Sequence, residues 1–260
     1  MRKALLTAIL SAILCSPLMA TEGTLGFGRF GTVHLYHQTA TPPRVSIFLS
    51  GDGGWKLGVI DMSRELEGHN ALIIGVDIVH YLKELDLTSD ECSYAVTDFE
   101  EMTKFVEKSL GYSTYVKPSL IGYSSGATLV YGLMAQAPPD TFVGGISLGF
   151  CPDLWNRKIF CKGAGLESKK NPKEAGYLFQ VADNLRNPWI ALQGTVDTIC
   201  SPPDTESFVN RVPGGEIVML PKVGHGFSVP RNWMPQLKQS FERIYSHHQD
   251  QETAASQSRQ

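Results

Sequence analysis

The chain contains no apolar run approaching the ~20 residues that a membrane-spanning helix needs. Its longest candidate, Ala4 to Leu14, is interrupted by Thr7 and Ser11 and stops short, so no transmembrane segment is expected in the mature protein. Basic residues are not in excess: 23 Lys and Arg stand against 26 Asp and Glu, a formal charge of −3. Net charge therefore draws the chain neither to nucleic acid nor to an anionic membrane, and contact with either would need a local patch. None of the five cysteines falls in a C-x-x-C pair, and H-E-x-x-H is absent, so the common zinc signatures are missing. Neither metal nor organic cofactor is expected. One glycine pattern, Gly26-Phe27-Gly28-Arg29-Phe30-Gly31, matches the dinucleotide-binding spacing. It has no strand before it and no helix after it, as such a site requires, and it reads as a flexible lead into the first strand.

Arg2 and Lys3, the apolar stretch Ala4 to Leu14, and then Ser16, Pro17 and Ala20 have the layout of a secretory signal peptide, with cleavage expected after Ala20. Leu14 stands where a small residue would precede a lipidated cysteine, which argues against an anchor on Cys15. Residues 21–245 are long enough for one α/β domain. The polar segment 246–260 lacks apolar anchors and is expected to be a disordered tail. Export suits the four remaining cysteines, Cys92, Cys151, Cys161 and Cys200, which allow two disulfides in three pairings. Cys151 with Cys161 closes the shortest loop and would leave Cys92 with Cys200.

Hydrophobic periodicity then alternates strand with helix. Thr32 to His37 and Val45 to Leu49 predict an antiparallel pair turning at Thr41-Pro42-Pro43. Val59 to Leu66 predicts a helix and Ala71 to Val76 a buried strand. Ser89 to Leu110 predicts an amphipathic helix with its acids early and Lys104 and Lys108 late. Further strands are expected at Tyr115 to Ile121, Phe142 to Leu148, Trp189 to Leu192 and Glu216 to Leu220, with helices at Ala127 to Ala135 and from about Trp233 to His247. This order implies a mainly parallel sheet covered by helices on both faces. That is the α/β-hydrolase arrangement, with residues 151–187 inserted as a small cap or a surface loop.

Gly122-Tyr123-Ser124-Ser125-Gly126 is a G-x-S-x-G pentapeptide between a predicted strand and a predicted helix, the context that makes Ser124 a candidate nucleophile. A serine hydroxyl needs a base, and the base an orienting carboxylate. Three histidines follow Ser124. His247 and His248 lie at the end of the last helix, leaving His225 in the glycine-flanked loop Val223-Gly224-His225-Gly226-Phe227. Asp197, just past the strand Trp189 to Leu192, is the favoured acid, with Asp153 and Asp204 as competitors. Backbone donors for an oxyanion are expected from Ser125 and from Asp52 or Gly53, in the glycine-rich loop after Val45 to Leu49. Trp55, Tyr123, Phe227 and Trp233 are candidates for an apolar rim that meets substrate.

Phe48-Leu49-Ser50-Gly51-Asp52-Gly53-Gly54-Trp55, the Ser124 pentapeptide, Gly149-Phe150-Cys151-Pro152-Asp153 and Gly224-His225-Gly226-Phe227 together resemble the VirJ/AcvB family of exported, virulence-associated bacterial proteins, in its single-domain VirJ form. The resemblance implies a periplasmic α/β-hydrolase that cleaves the aminoacyl ester of aminoacylated phosphatidylglycerol, such as lysyl-phosphatidylglycerol. It also implies a link to type IV secretion, whose effectors or channel components would be partners. Asp52, Asp77 and Asp153 are the acids expected to favour such a cationic head group. The alternatives are a non-catalytic accessory protein that binds secretion substrates, and a broad-specificity carboxylesterase.

Overall fold

The computed structural model describes residues 21–257; the expected leader over residues 1–20 lies outside the described residues. β1 (Thr21–Phe27) and β2 (Gly31–His37) form an antiparallel hairpin. The glycine pattern is its turn: Gly28 and Gly31 adopt φ of +44° and +60°, a region that L side chains rarely enter. This corrects the reading of a flexible lead, since Gly26 and Phe27 already belong to β1. It also corrects the expected pairing of β2 with β3 (Arg44–Leu49). β2 pairs antiparallel with β4 (Ala71–Val76), and β3 lies beyond, parallel to β4. The Pro42-Pro43 connection therefore crosses a strand instead of closing a hairpin.

After β3 come α1 (Ile60–Glu67), β4, α2 (Ile78–Asp86), α3 (Ala95–Ser109), β5 (Pro118–Tyr123), α4 (Ser125–Gln136) and β6 (Gly145–Leu148). Three short strands, β7 (Asp153–Leu154), β8 (Ser168–Lys170) and β9 (Tyr177–Phe179), form a separate antiparallel sheet. The chain closes with β10 (Trp189–Gly194), α5 (Pro202–Val209), β11 (Gly215–Leu220) and α6 (Met234–Gln257). Among the described residues the main sheet has eight strands in the order β1-β2-β4-β3-β5-β6-β10-β11, parallel from β4 onward. This is the α/β-hydrolase fold. α2 and α5 went unpredicted: α2 is only nine residues long, although Ile78, Tyr81, Leu82 and Leu85 stand at helical spacing, and α5 opens on Pro202 and Pro203, a pair that reads as a turn although proline is well suited to the first helical turn.

The sheet's period of two divides the core. On β3, Val45, Ile47 and Leu49 join one apolar cluster with α2, α3, α4 and α5, while Phe48 joins the other with α1 and α6. On α6, Leu237, Phe241, Ile244 and Tyr245 repeat at helical spacing and are buried against the sheet. The helix does not end there, which corrects the disordered tail: residues 246–257 remain helical. They contain neither Gly nor Pro, and a helix already nucleated by packing propagates through Gln, Glu and Ala at little cost.

α4 is buried on every side from Gly126 to Gln136, which a helix lying on one face of a sheet cannot achieve alone. Its outer face is covered by the 151–187 segment, which carries Phe160, Leu166 and Phe179 into the core. Gly132 makes room for the Phe179 ring, only 2.5 Å from where a Cβ would stand. Asp86 pins the same segment by accepting the Arg157 and Lys158 amides.

The disulfides are Cys92–Cys161 and Cys151–Cys200, not the expected pairs. β6 and β10 are parallel neighbours, so Cys151 and Cys200 leave the same end of the sheet with Cα atoms 5.3 Å apart. A bridge between Ser93 and Phe160 aligns Cys92 with Cys161. Short sequence separation lowers the entropy of closing a loop, but strand adjacency decided which sulfurs meet. Two disulfides fit an exported protein. Among the described residues no helix is long and apolar enough to cross a membrane.

Candidate active site

Ser124 sits between β5 and α4 with φ 55° and ψ −124°, a conformation that costs a non-glycine residue on the order of 1–3 kcal/mol. The turn is enforced by close packing. A Cβ on Gly122 would lie 2.2 Å from the Gly126 carbonyl oxygen, and one on Gly126 would lie 2.3 Å from the Ser50 carbonyl oxygen. The Ser124 amide donates to the Leu148 carbonyl at 2.9 Å, which ties the turn to the end of β6.

The His225 loop follows β11 and is held over this turn. The Lys222 amide donates to Thr195 Oγ1 and the Val196 amide to the Val223 carbonyl. Tyr123 donates its hydroxyl to the His225 carbonyl at 3.0 Å. His225 Nε2 then stands 2.9 Å from Ser124 Oγ, and Nδ1 stands 2.9 Å from Asp197 Oδ2. A neutral ring with its proton on Nδ1 satisfies both contacts: Nδ1–H donates to the carboxylate, and the serine hydroxyl donates to Nε2. Asp197 is fully enclosed. Oδ1 accepts the Ile199 and Cys200 amides at 2.8 and 2.9 Å, and Oδ2 also accepts Gln193 Nε2 at 3.1 Å. The arrangement can deprotonate the serine hydroxyl and stabilise the imidazolium that results.

The rival residues stand elsewhere. Asp204 is exposed on α5, Asp153 begins β7, and neither bonds to His225. His248 borders a cleft of about 700 Å³ at the beginnings of β3, β4 and β5, where Arg44, His69 and Lys117 also lie. That is the opposite end of the sheet from Ser124. Asp197, Cys200 and His225 group closely enough to suggest metal ligands, but the Cys200 sulfur is bonded to Cys151 and offers no thiolate.

The loop after β3 covers the nucleophile, with the position of a Gly51 Cβ only 3.1 Å from Ser124 Cβ. Ser125 opens α4, where the first amides have no intrahelical acceptor. Neither it nor Asp52 or Gly53 donates its amide to a protein oxygen among the described residues. The Asp52 carboxylate accepts Ser125 Oγ at 2.6 Å and Trp155 Nε1 at 2.8 Å, joining this loop to α4 and to the 151–187 segment. Trp155 and Gln193 were not singled out from sequence, because a lone Trp or Gln carries no spacing signal.

Three expected substrate contacts are corrected. Trp55 is buried: its indole fills the slot left by Gly75, stacks on His34 at 5.1 Å and donates to Tyr36. Asp77 is occupied by the fold, capping α2 through the Val79 and His80 amides and accepting the Trp55 amide. Phe227 is core, packed edge-on against Tyr123 and Trp233, and Trp233 is buried beside it. Tyr123 remains half-buried, its ring 5.8 Å from that of His225, and burial holds its hydroxyl above the usual tyrosine range. Asp153 is half-buried, and desolvation raises its carboxyl. It lines a cleft of about 510 Å³ beside the Cys151 end of the disulfide, with Glu174, Asp204, Lys173 and Ile199.

No curated protein sequence matches the chain. Among solved structures it is similar to a dienelactone hydrolase from Anabaena variabilis (TM-score 0.58, 15% identity, covering 88% of this chain and 97% of that one). It is also similar to esterase 2 of Thermogutta terrifontis, solved phosphorylated by paraoxon (0.55, 14%, 88% and 94%), and to the esterase domain of a Rhodothermus marinus protein (0.51, 14%, 82% and 92%). At these identities the likeness is one of fold. Residues 43–141 match the family model described as bacterial virulence protein (VirJ). That span runs from the start of β3 through the covering loop and the Ser124 turn to the end of α4.

Proposed function

We propose that this protein is a periplasmic serine esterase that hydrolyses the aminoacyl ester of aminoacylated phosphatidylglycerol. What carries the reading is the relay of two 2.9 Å contacts from Asp197 through His225 to Ser124, set on a strained turn. Ser124 attacks the ester carbonyl as His225 takes its proton, and the amides of Ser125 and of Asp52 or Gly53 receive the oxyanion. His225 then protonates the departing glycerol oxygen of the lipid, leaving an aminoacyl-enzyme. A water activated by the same imidazole releases the free amino acid. A lysyl ester adds two amines to a head group bearing one phosphate. The cleft lined by Asp153, Glu174 and Asp204, with Lys173 the only cation in its lining, supplies charge of the right sign. The match of residues 43–141 to the bacterial virulence protein (VirJ) model supports a role in virulence, and type IV secretion is the process it would serve.

Purified protein incubated with lipid extract containing lysyl-phosphatidylglycerol is expected to release free lysine, and Ser124→Ala to release none above background. Rapid cleavage of short acyl esters with no action on the aminoacyl lipid would replace this reading with a broad carboxylesterase. Full rescue of a deletion strain by Ser124→Ala would replace it with an accessory role that needs no turnover.

A further inference from the structure

Each loop that builds the site also displays an aliphatic side chain to solvent. Leu57, in the loop covering Ser124, is 66% exposed; Val196 and Ile199, flanking Asp197, are 57% and 70% exposed; Val229, just past the His225 loop, is 43% exposed. These four are half of the large apolar side chains exposed among the described residues. Scattered single exposures are ordinary, but their concentration at one end of the sheet, around one serine, is not. The exposed charges on the same loops are mostly cationic. Lys56, Lys222 and Arg231 are exposed with no ion-pair partner among the described residues, against one exposed carboxylate, Asp52, which accepts hydrogen bonds from Ser125 and Trp155, while Asp197 is enclosed. In a chain with more acids than bases, this is a local cationic and aliphatic collar.

We propose that this collar docks the protein on an anionic phospholipid bilayer, with the aliphatic side chains entering the interface and the three cations meeting lipid phosphates. Such a combination is what a bilayer surface selects, because apolar burial and attraction to anionic lipid add. The charges are also divided: the collar carries the cations, while the cleft that shares Ile199 with it is lined by Asp153, Glu174 and Asp204. Neighbouring lipid phosphates would hold the collar as a cationic head group enters the cleft. The consequence for turnover rests on the lipid-ester reading above; the docking itself does not.

The test is co-sedimentation with vesicles of phosphatidylglycerol and phosphatidylethanolamine that contain no aminoacyl lipid. Wild type is expected to bind, less at high salt. A Leu57→Ser, Val196→Ser, Val229→Ser variant should bind about tenfold more weakly or worse, as should Lys56→Gln, Lys222→Gln, Arg231→Gln. Both variants should keep wild-type turnover of a water-soluble lysyl ester and a wild-type melting curve, and lose turnover of ester held in vesicles. Should the triple aliphatic variant fail to fold, Leu57→Ser alone, altering the best exposed of its three positions, carries the test. Wild-type protein that stays in the supernatant, or variants that sediment as wild type does, would overturn the proposal. Absence of turnover on either ester by a wild type that binds vesicles would sink the esterase reading and leave the docking standing.

Discussion

Asp197 Oδ2 lies 2.9 Å from His225 Nδ1, and the carboxylate that holds this contact has no accessible side-chain surface. The Ile199 and Cys200 amides and Gln193 fix it from behind, and in the proposed reaction it would orient the ring and balance the imidazolium. Asp197→Asn should leave the fold intact and lower kcat by about 10⁴, while Ser124→Ala or His225→Ala should cost on the order of 10⁶. Steady-state kinetics on a lysyl ester checks both, and a loss confined to KM would remove Asp197 from this role.

The nucleophile turn tolerates no side chain at Gly126, where a Cβ would press on two backbone carbonyls, at 2.3 Å from that of Ser50 and 2.6 Å from that of Leu49. Backbone cannot step aside as a flexible side chain can. Gly126→Ala should therefore destabilise the protein by about 1–3 kcal/mol and reduce activity at temperatures where the variant is still folded. Urea denaturation measures the first effect. An unchanged midpoint would mean that the turn is looser than its contacts imply.

Much of the site was legible because its parts carry local signatures. Gly122 and Gly126 flank Ser124 for the packing reason just given, and Gly224 and Gly226 frame His225. Chain order left Asp153, Asp197 and Asp204 all eligible, and the Gly194-x-x-Asp197 turn just past a strand favoured Asp197. The disulfides were not legible, since the sequence shows how far apart Cys151 and Cys161 are along the chain but not that β6 and β10 are neighbours. Trp55 and Phe227 misled for a related reason: an aromatic beside a glycine in a loop reads as exposed, whereas Gly75, on another strand, opens the slot that buries Trp55. The exposed aliphatics of the collar had no signature, because burial of a lone Leu or Val depends wholly on what packs against it.

The two disulfides should differ in what their loss does. Cys200 donates its amide to Asp197 and accepts from Gln193, and its partner Cys151 lies two residues past Gly149, against which His225 packs. Replacing Cys151 and Cys200 by Ala should lower kcat with little change in KM, as well as lowering stability. Replacing Cys92 and Cys161 should destabilise by about 2–4 kcal/mol and spare kcat at temperatures where the protein remains folded. Equal kcat losses in the two variants would show that stability alone links either bridge to activity.

Glu107, on α3, is buried far from the site; Oε2 accepts the Val116 amide at 3.0 Å, while Oε1 meets no partner among the described residues. Desolvation pushes its carboxyl from 4.5 up to about 7, against the opposing pull of the Val116 amide, and the groups facing it include Tyr112 and Tyr115. Between pH 4.5 and about 7 the folded chain holds a proton that the unfolded chain has released, so stability falls as pH rises through that window and levels off above it. Glu107→Gln keeps an oxygen for Val116 and has no charge to bury. The variant should match wild type near pH 4.5 and exceed it by on the order of 1–3 kcal/mol at pH 8. Urea midpoints for both proteins at pH 4.5, 6 and 8 provide the measurement. Curves that stay parallel across the three would mean that this carboxyl ionises in the folded chain as easily as in water.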